Sequence, residues 1–304
     1  VCAPFKYNLG NFIETIEAGA NTLVQTGGVC RLGYYGELHE QILRDLGYNV
    51  RFVNMARASY SNPASFYSEF LSINPDLSLK RVASVLTLVL KMVEHIDAFE
   101  SYMRNNVGFE CEEGSFDRLH QDFLASLSAV ESHKELNAIS KLYMRRLKDL
   151  PISRPKNPLR VGIIGEYYTI MEPFSNHFME KALARMGIAV DRWINISNTL
   201  LHNPSKKVIT HIKDYAKYNM GATAMFSIDK ALEFAKKHYD GIIHVKSFGC
   251  TPEIDAMPVL QNISNDYKIP ILYFSFDSQT SETGIQTRLE AFYDMIVMRK
   301  EDRK

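Results

Sequence analysis

Four cysteines, Cys2, Cys30, Cys111 and Cys250, are the side chains of this sequence with the widest chemical reach. A thiolate is a nucleophile and a ligand for soft metals, and its surroundings decide which of these it becomes. Cys30 follows the apolar run "LVQTGG" and precedes a helix-patterned segment. Cys250 follows "IIHVKSFG" and precedes "TPEIDAMPVL", with Pro252 at a favourable first-turn position. Cys2 lies in "VCAPFK", which reads as the end of a strand and a loop, ahead of the helical pattern "NLGNFIETIEAG". Three of the four cysteines therefore stand where a chain passes through a turn into a helix N-terminus, where partial positive charge and free N–H groups favour thiolate. The glycines beside Cys30 and Cys250 permit tight turns and close approach of a ligand. Against this stands the plainer reading, that a cysteine after a strand-end glycine is a small buried apolar residue.

Cys111, in "NNVGFECEEGSF", lacks that setting. Glu110, Glu112 and Glu113 crowd it with negative charge, and it is read as a non-ligand. Four cysteines are too few for a disulfide scaffold and no CxxC pair occurs. Three thiolates suit soft metals. Zinc would require a histidine or water as fourth ligand, and His244 is the nearest candidate, although it lies inside a strand pattern. A cluster with three cysteine ligands and one open iron fits the same residues, so zinc and iron–sulfur stay open at this level.

Positioning such residues requires α/β architecture. "NTLVQTG" (21–27) and "NVRFVNM" (49–55) are strand-like runs separated by the helical "RLGYYGELHEQILRDLGY" (31–48). From 63 to 150 the strand signal gives way to 3.6-residue periodicity, and "PISRPKNP" (151–158) reads as a linker. "LRVGIIGEYY", "AVDRWINI", "GIIHVKSFG" and "IPILYFSFD" then alternate with helical stretches. The expectation is two small doubly wound, Rossmann-like parallel-sheet domains, 1–62 and 151–304, with a helical section, 63–150, between them. Because "VCAPFK" is an abrupt beginning, a further strand–helix portion is expected to precede the first domain.

Bulk composition narrows the partners. The 304 residues carry 35 basic and 35 acidic side chains, so no surplus of positive charge supports nucleic-acid binding. "VASVLTLVLKMV" (82–93) is too short to span a bilayer and contains a lysine, and no secretory leader pattern is present. A cytoplasmic protein without membrane contact is expected.

The same cysteine segments carry a family likeness. "CAPFKYNLGNFIE", "GGVCRLGYYGELHEQILRDLGY", "VGIIGEYYTIMEPFSN", "DGIIHVKSFGCTPEIDAMPVL" and "FDSQTSETGIQTRLEAFYD" resemble motifs of the 2-hydroxyacyl-CoA dehydratase and benzoyl-CoA reductase superfamily, in its acyl-CoA dehydratase activase-related (CoA-substrate-specific enzyme activase) branch. The resemblance runs to about residue 297 and departs from the family pattern at Ser278, where relatives carry an acidic residue. It implies a [4Fe-4S] cluster held by Cys2, Cys30 and Cys250, with one iron left for another ligand. It also implies an ATP-dependent activator protein with its own cluster as electron donor, an acyl-CoA substrate and a homo- or heterodimer, in some relatives with a bridged double-cubane. A non-catalytic cluster-carrying electron-transfer protein, or a structural α/β protein with inert or zinc-bound cysteines, are the alternatives.

Other residues are assigned more modestly. Arg31 could balance cluster charge or hold a carboxylate, and Glu166, after "GIIG", could act on substrate or cap the following turn; these two are the catalytic candidates. Lys6 and Lys246 could balance charge near Cys2 and Cys250 but read as solvated. Glu253 reads as favouring a helix N-terminus, and Arg288 and Glu290 as tying the last helix to the sheet. Neither GxGxxG nor GxxxxGK[ST] occurs, so no nucleotide site is expected in this chain.

Overall fold

Strands of four to seven residues, each followed by a helix, give the chain an α/β fold with two parallel sheets. The computed structural model describes residues 2–25, 34–55, 63–202, 205–221 and 223–302. The chain divides into two compact units, Val1–Thr87 and Leu88–Lys304.

In the first unit, α1 (Ala3–Glu17), β1 (Thr22–Gln25), α2 (Tyr35–Asp45) and β2 (Arg51–Asn54) form a parallel pair of strands with its helices, with Leu23 opposite Phe52 and Val24 opposite Val53. Helix α1 begins at Ala3, so "APFK" is not the loop expected from the sequence. Pro4 stands at the second helical position, where its fixed φ suits the first turn and its missing N–H costs no helical hydrogen bond. His39 of α2 is fully buried and ties the unit together. Its Nδ1 lies 3.1 Å from Gln25 Oε1 and its Nε2 lies 3.0 Å from the Phe5 carbonyl, while its ring stacks on Phe5. The first turn of α1 is thus held at the C-terminal end of β1. Helix α3 (Pro63–Ile73) follows, and the division between the units falls within α4 (Leu79–Asn106).

The second unit begins with a helical layer. The remainder of α4 packs with α5 (Ser115–Leu127) and α6 (His133–Lys148) around Phe99, Phe116, Phe123, Leu136 and Leu147. The proline-rich segment 151–158 leads into β3 (Leu159–Gly165), α7 (Tyr167–Met171), α8 (Met179–Arg185), β4 (Ile188–Arg192), α9 (Ile196–Leu200) and α10 (Ser205–His211). After these come α11 (Ala224–Lys236), β5 (Gly241–Ser247), α12 (Thr251–Tyr267), β6 (Ile271–Phe276) and α13 (Glu282–Glu301). The four strands pair in parallel in the order β4-β3-β5-β6. One face carries Ile164 and Ile242 under Ile228, Leu232, Ala256 and Leu260 of α11 and α12. The other carries Val161, Ile163, Ile243 and Val245 under Leu183 of α8 and Leu289 and Phe292 of α13. Helices on both faces explain why β5 is buried at all seven positions rather than at alternate ones. Among the described residues, no helix is long and apolar enough to cross a membrane.

Candidate functional site

The strand order places a reversal between β3 and β5. From β3 the chain proceeds outward to β4, then returns to β5 on the other side of β3. Loops leaving the C-terminal ends of two such strands diverge and leave a crevice where open α/β sheets bind ligands. Glu166 leaves β3 at this point and Cys250 follows β5, so the second unit brings two of the sequence candidates to one sheet edge.

Local backbone chemistry builds that edge. Gly165 has φ +137°, and a Cβ there would overlap the Val245 carbonyl, so only glycine lets β3 end tight against β5. The Glu166 amide then donates to that same Val245 carbonyl at 3.0 Å. The Glu166 carboxylate turns back to accept from the amides of Tyr168 and Thr169, each at 2.9 Å, and from the Thr169 hydroxyl, capping α7. Burial pushes the Glu166 carboxyl above the usual range; these hydrogen bonds oppose the shift and the charge of Glu253 adds to it. Glu166 is a capping residue, and its acceptor capacity is engaged by the α7 turn.

After β5, Gly249 at φ +82° turns the chain into α12, with Cys250 as N-cap and Pro252 at the second helical position. Cys250 is half-buried, extended (φ −69°, ψ 95°), and its thiol makes no capping hydrogen bond. Lys246 is buried rather than solvated. Desolvation lowers its pKa, and the nearby Cys250 and Glu253 work in the opposite direction. A thiol at a helix N-terminus with an ammonium close by is biased toward thiolate.

Behind Cys250 lies a network that sequence reasoning missed. Glu253, expected to act on the helix terminus by charge, is fully buried on the inner face of α12. It accepts from the hydroxyls of Thr223 and Ser227, the latter at 3.0 Å, and its Oε2 lies 2.7 Å from His244 Nε2. The edge of the Tyr273 ring meets His244 at 5.5 Å. Burial pushes the Tyr273 hydroxyl up to about 12. His244 Nε2 is therefore engaged inside the sheet, while its Nδ1 is buried with no hydrogen-bond partner among the described residues. The one sequence signal was the spacing of Thr223 and Ser227, four residues apart on one face of a helix.

In the first unit, Cys2 is the N-cap residue of α1, also extended (φ −79°, ψ 165°) and half-buried, and its Sγ hydrogen-bonds the Tyr35 hydroxyl. Tyr35 opens the helix that follows Cys30. Cys30 and Arg31 lie outside the described residues. Lys6 is exposed, and Cys111 is exposed in the helical layer, its amide donating to the Pro151 carbonyl at 3.1 Å. Arg288 donates to the Tyr273 carbonyl at 2.6 Å, tying α13 to the sheet, while Glu290 pairs with Gln286 on the same helix. Among the described residues, no three His, Cys, Asp or Glu side chains assemble as a metal-binding group. Comparison with protein-family models and with curated proteins found no match for this chain.

Proposed function

We propose that this chain is an iron–sulfur redox component of 2-hydroxyacyl-CoA dehydratase type, in which Cys2, Cys30 and Cys250 hold a [4Fe-4S] cluster. The observation that carries this reading is the recurrence of one unusual cap. Cys2 and Cys250, 248 positions apart in different units, both stand at a helix N-cap with proline at the second helical position. Neither thiol is used as a capping acceptor. Both helices start at the C-terminal end of parallel strands, where α/β proteins take ligands. The hydrogen bond from Cys2 to Tyr35 further supports a role shared with the Cys30 segment, because α2 begins just beyond it.

The donor set fits such a group. Two half-buried thiols stand at helix N-cap positions, and a cubane with three cysteine ligands keeps one iron for a non-protein ligand. When bound, the cluster supplies one-electron chemistry, with an ATP-dependent activator as donor and an acyl-CoA thioester as acceptor. The chain's own residues have separate tasks. Lys246 offsets negative charge at Cys250, Gly165 and Gly249 set the two turns of the crevice, and the Glu253–His244 network fixes the first turn of α12 that carries Cys250.

Anaerobic reconstitution with iron and sulfide, followed by visible absorption and electron paramagnetic resonance of the reduced protein, tests the assignment. The spectrum is expected in the wild type and in Cys111→Ser, and is expected to be weakened or lost in Cys2→Ser, Cys30→Ser and Cys250→Ser. Four variants with identical spectra would overturn it. Turnover of a panel of acyl-CoA thioesters, with activator, ATP and reductant present, then separates a dehydratase from an electron carrier.

A further inference from the structure

A cavity adjoins α7, the helix that Glu166 caps. It is a cleft of about 880 Å³ between α4 and α5 of the helical layer on one side and α7, α8 and β4 on the other, entirely inside the second unit. Arg104, in the last turn of α4, and Arg192, the last residue of β4, line it together. Both side chains are more than nine-tenths buried.

Their counter-ions leave part of each guanidinium unmatched. Arg104 Nη1 donates to Glu100 Oε2 at 3.3 Å. Arg192 Nη1 donates to the Ile170 carbonyl at 3.0 Å and faces Glu180 Oε1 at 2.9 Å, with Nη2 3.9 Å from Glu100. Arg104 Nε and Nη2, and Arg192 Nε, are buried with no hydrogen-bond partner among the described residues. Nε and Nη2 of an arginine form the edge that grips a carboxylate by two parallel hydrogen bonds. A buried donor without an acceptor is costly; Glu180 Oε1 beside Arg192 is a buried acceptor that makes no hydrogen bond, so the Nε/Nη2 edge of Arg104 is the one that needs an acceptor group. Because the Arg104 edge is covered, it must shift toward a ligand in the cleft, and that shift breaks no hydrogen bond from Nε or Nη2.

Charge selects the class of ligand. Glu100 and Glu180 already balance the two arginines, Asp117 at the rim pairs with Lys181 at 3.0 Å, and Glu110 caps α5. The cleft therefore has no positive surplus to hold a polyphosphate, but it has donors to hold one carboxylate. Met103, Ile170, Phe178 and Val190 give it apolar walls. Phe178, half-exposed, and His177 before it both adopt φ +54°, a conformation that costs a non-glycine residue about 1–2 kcal/mol and here carries the ring into the cleft lining.

We infer that this cleft binds a monocarboxylic acid with an apolar body, its carboxylate on the Nε/Nη2 edge of Arg104 and its chain against Phe178. The site is independent of the iron–sulfur reading, and iron content will not change with the variants below. The test is isothermal titration of the full chain with straight-chain monocarboxylates from propanoate to octanoate, and with the matching primary amides. Saturable binding of at least one acid is expected, with its amide weaker by roughly tenfold or more. Arg104→Lys, which keeps the charge but loses the fork, is expected to weaken the acid by about tenfold. Phe178→Ala, at a half-exposed position that leaves the core untouched, is expected to weaken longer acids while sparing propanoate. The inference is overturned if no acid binds saturably at millimolar concentration, if amides bind as well as acids, or if a folded Arg104→Lys binds like wild type. Loss of binding in Lys181→Ala with none in Arg104→Lys would place the acid at the rim and overturn it equally.

Discussion

Glu253 shows how far a residue's role can depend on partners distant in sequence. Three residues after Cys250, a glutamate in a first turn suits the helix dipole, and nothing in "CTPEID" says otherwise. Its burial is decided by Thr223 and Ser227 on α11 and by His244 on β5, which close over it with hydrogen-bond donors. Glu253→Ala leaves these groups buried without their acceptor and is expected to destabilise the protein by about 3–5 kcal/mol in urea unfolding. Glu253→Gln, which keeps one acceptor oxygen, should cost less. His39 gives a test by pH. Burial lowers its pKa below the ordinary 6.5, against a smaller opposing pull from the Phe5 carbonyl. A depressed histidine pKa means that the unfolded state binds the proton more readily, so its contribution is complete above about 6.5 and is lost as pH falls through that value. Amide protection factors in α1, β1 and α2, taken relative to intrinsic exchange at each pH, are expected to fall between pH 7 and pH 5, and His39→Gln should flatten that dependence. The turn at Cys250 was legible because Gly249 and Pro252 punctuate it; the roles of Glu253, His244 and Arg104 were not, because pairwise tertiary contacts decide them.

At the scale of elements, the glycines that end β3 and β5 are not equivalent. Gly249 is left-handed but has open space around its α-carbon, so Gly249→Ala meets only backbone strain, about 1–2 kcal/mol. Gly165 combines positive φ with the Val245 carbonyl in the way, so Gly165→Ala must push two central strands apart and is expected to cost about 3 kcal/mol or more. Thermal or urea unfolding of the two variants checks the order; equal losses would contradict it. The sheet of the second unit could be read from the sequence because β3 and β5 are mostly apolar, β-branched runs closed by glycine, the pattern of strands buried on both faces. The start of α1 could not, because Pro4 is consistent with either a loop or a first helical turn, and His39, thirty-four residues away from Phe5, helps to hold that turn.

For the whole molecule, zero net formal charge, two parallel sheets and helix-capping cysteines in both units form one account. The proposed function assigns Cys2, Cys30 and Cys250 to one [4Fe-4S] cluster. That claim is tested most directly by counting iron and acid-labile sulfide in protein isolated without oxygen. The account predicts about four of each per chain, retained in Cys111→Ser and lost in Cys2→Ser, Cys30→Ser and Cys250→Ser. Iron near zero in the wild type, or a content that the three substitutions leave unchanged, would contradict it.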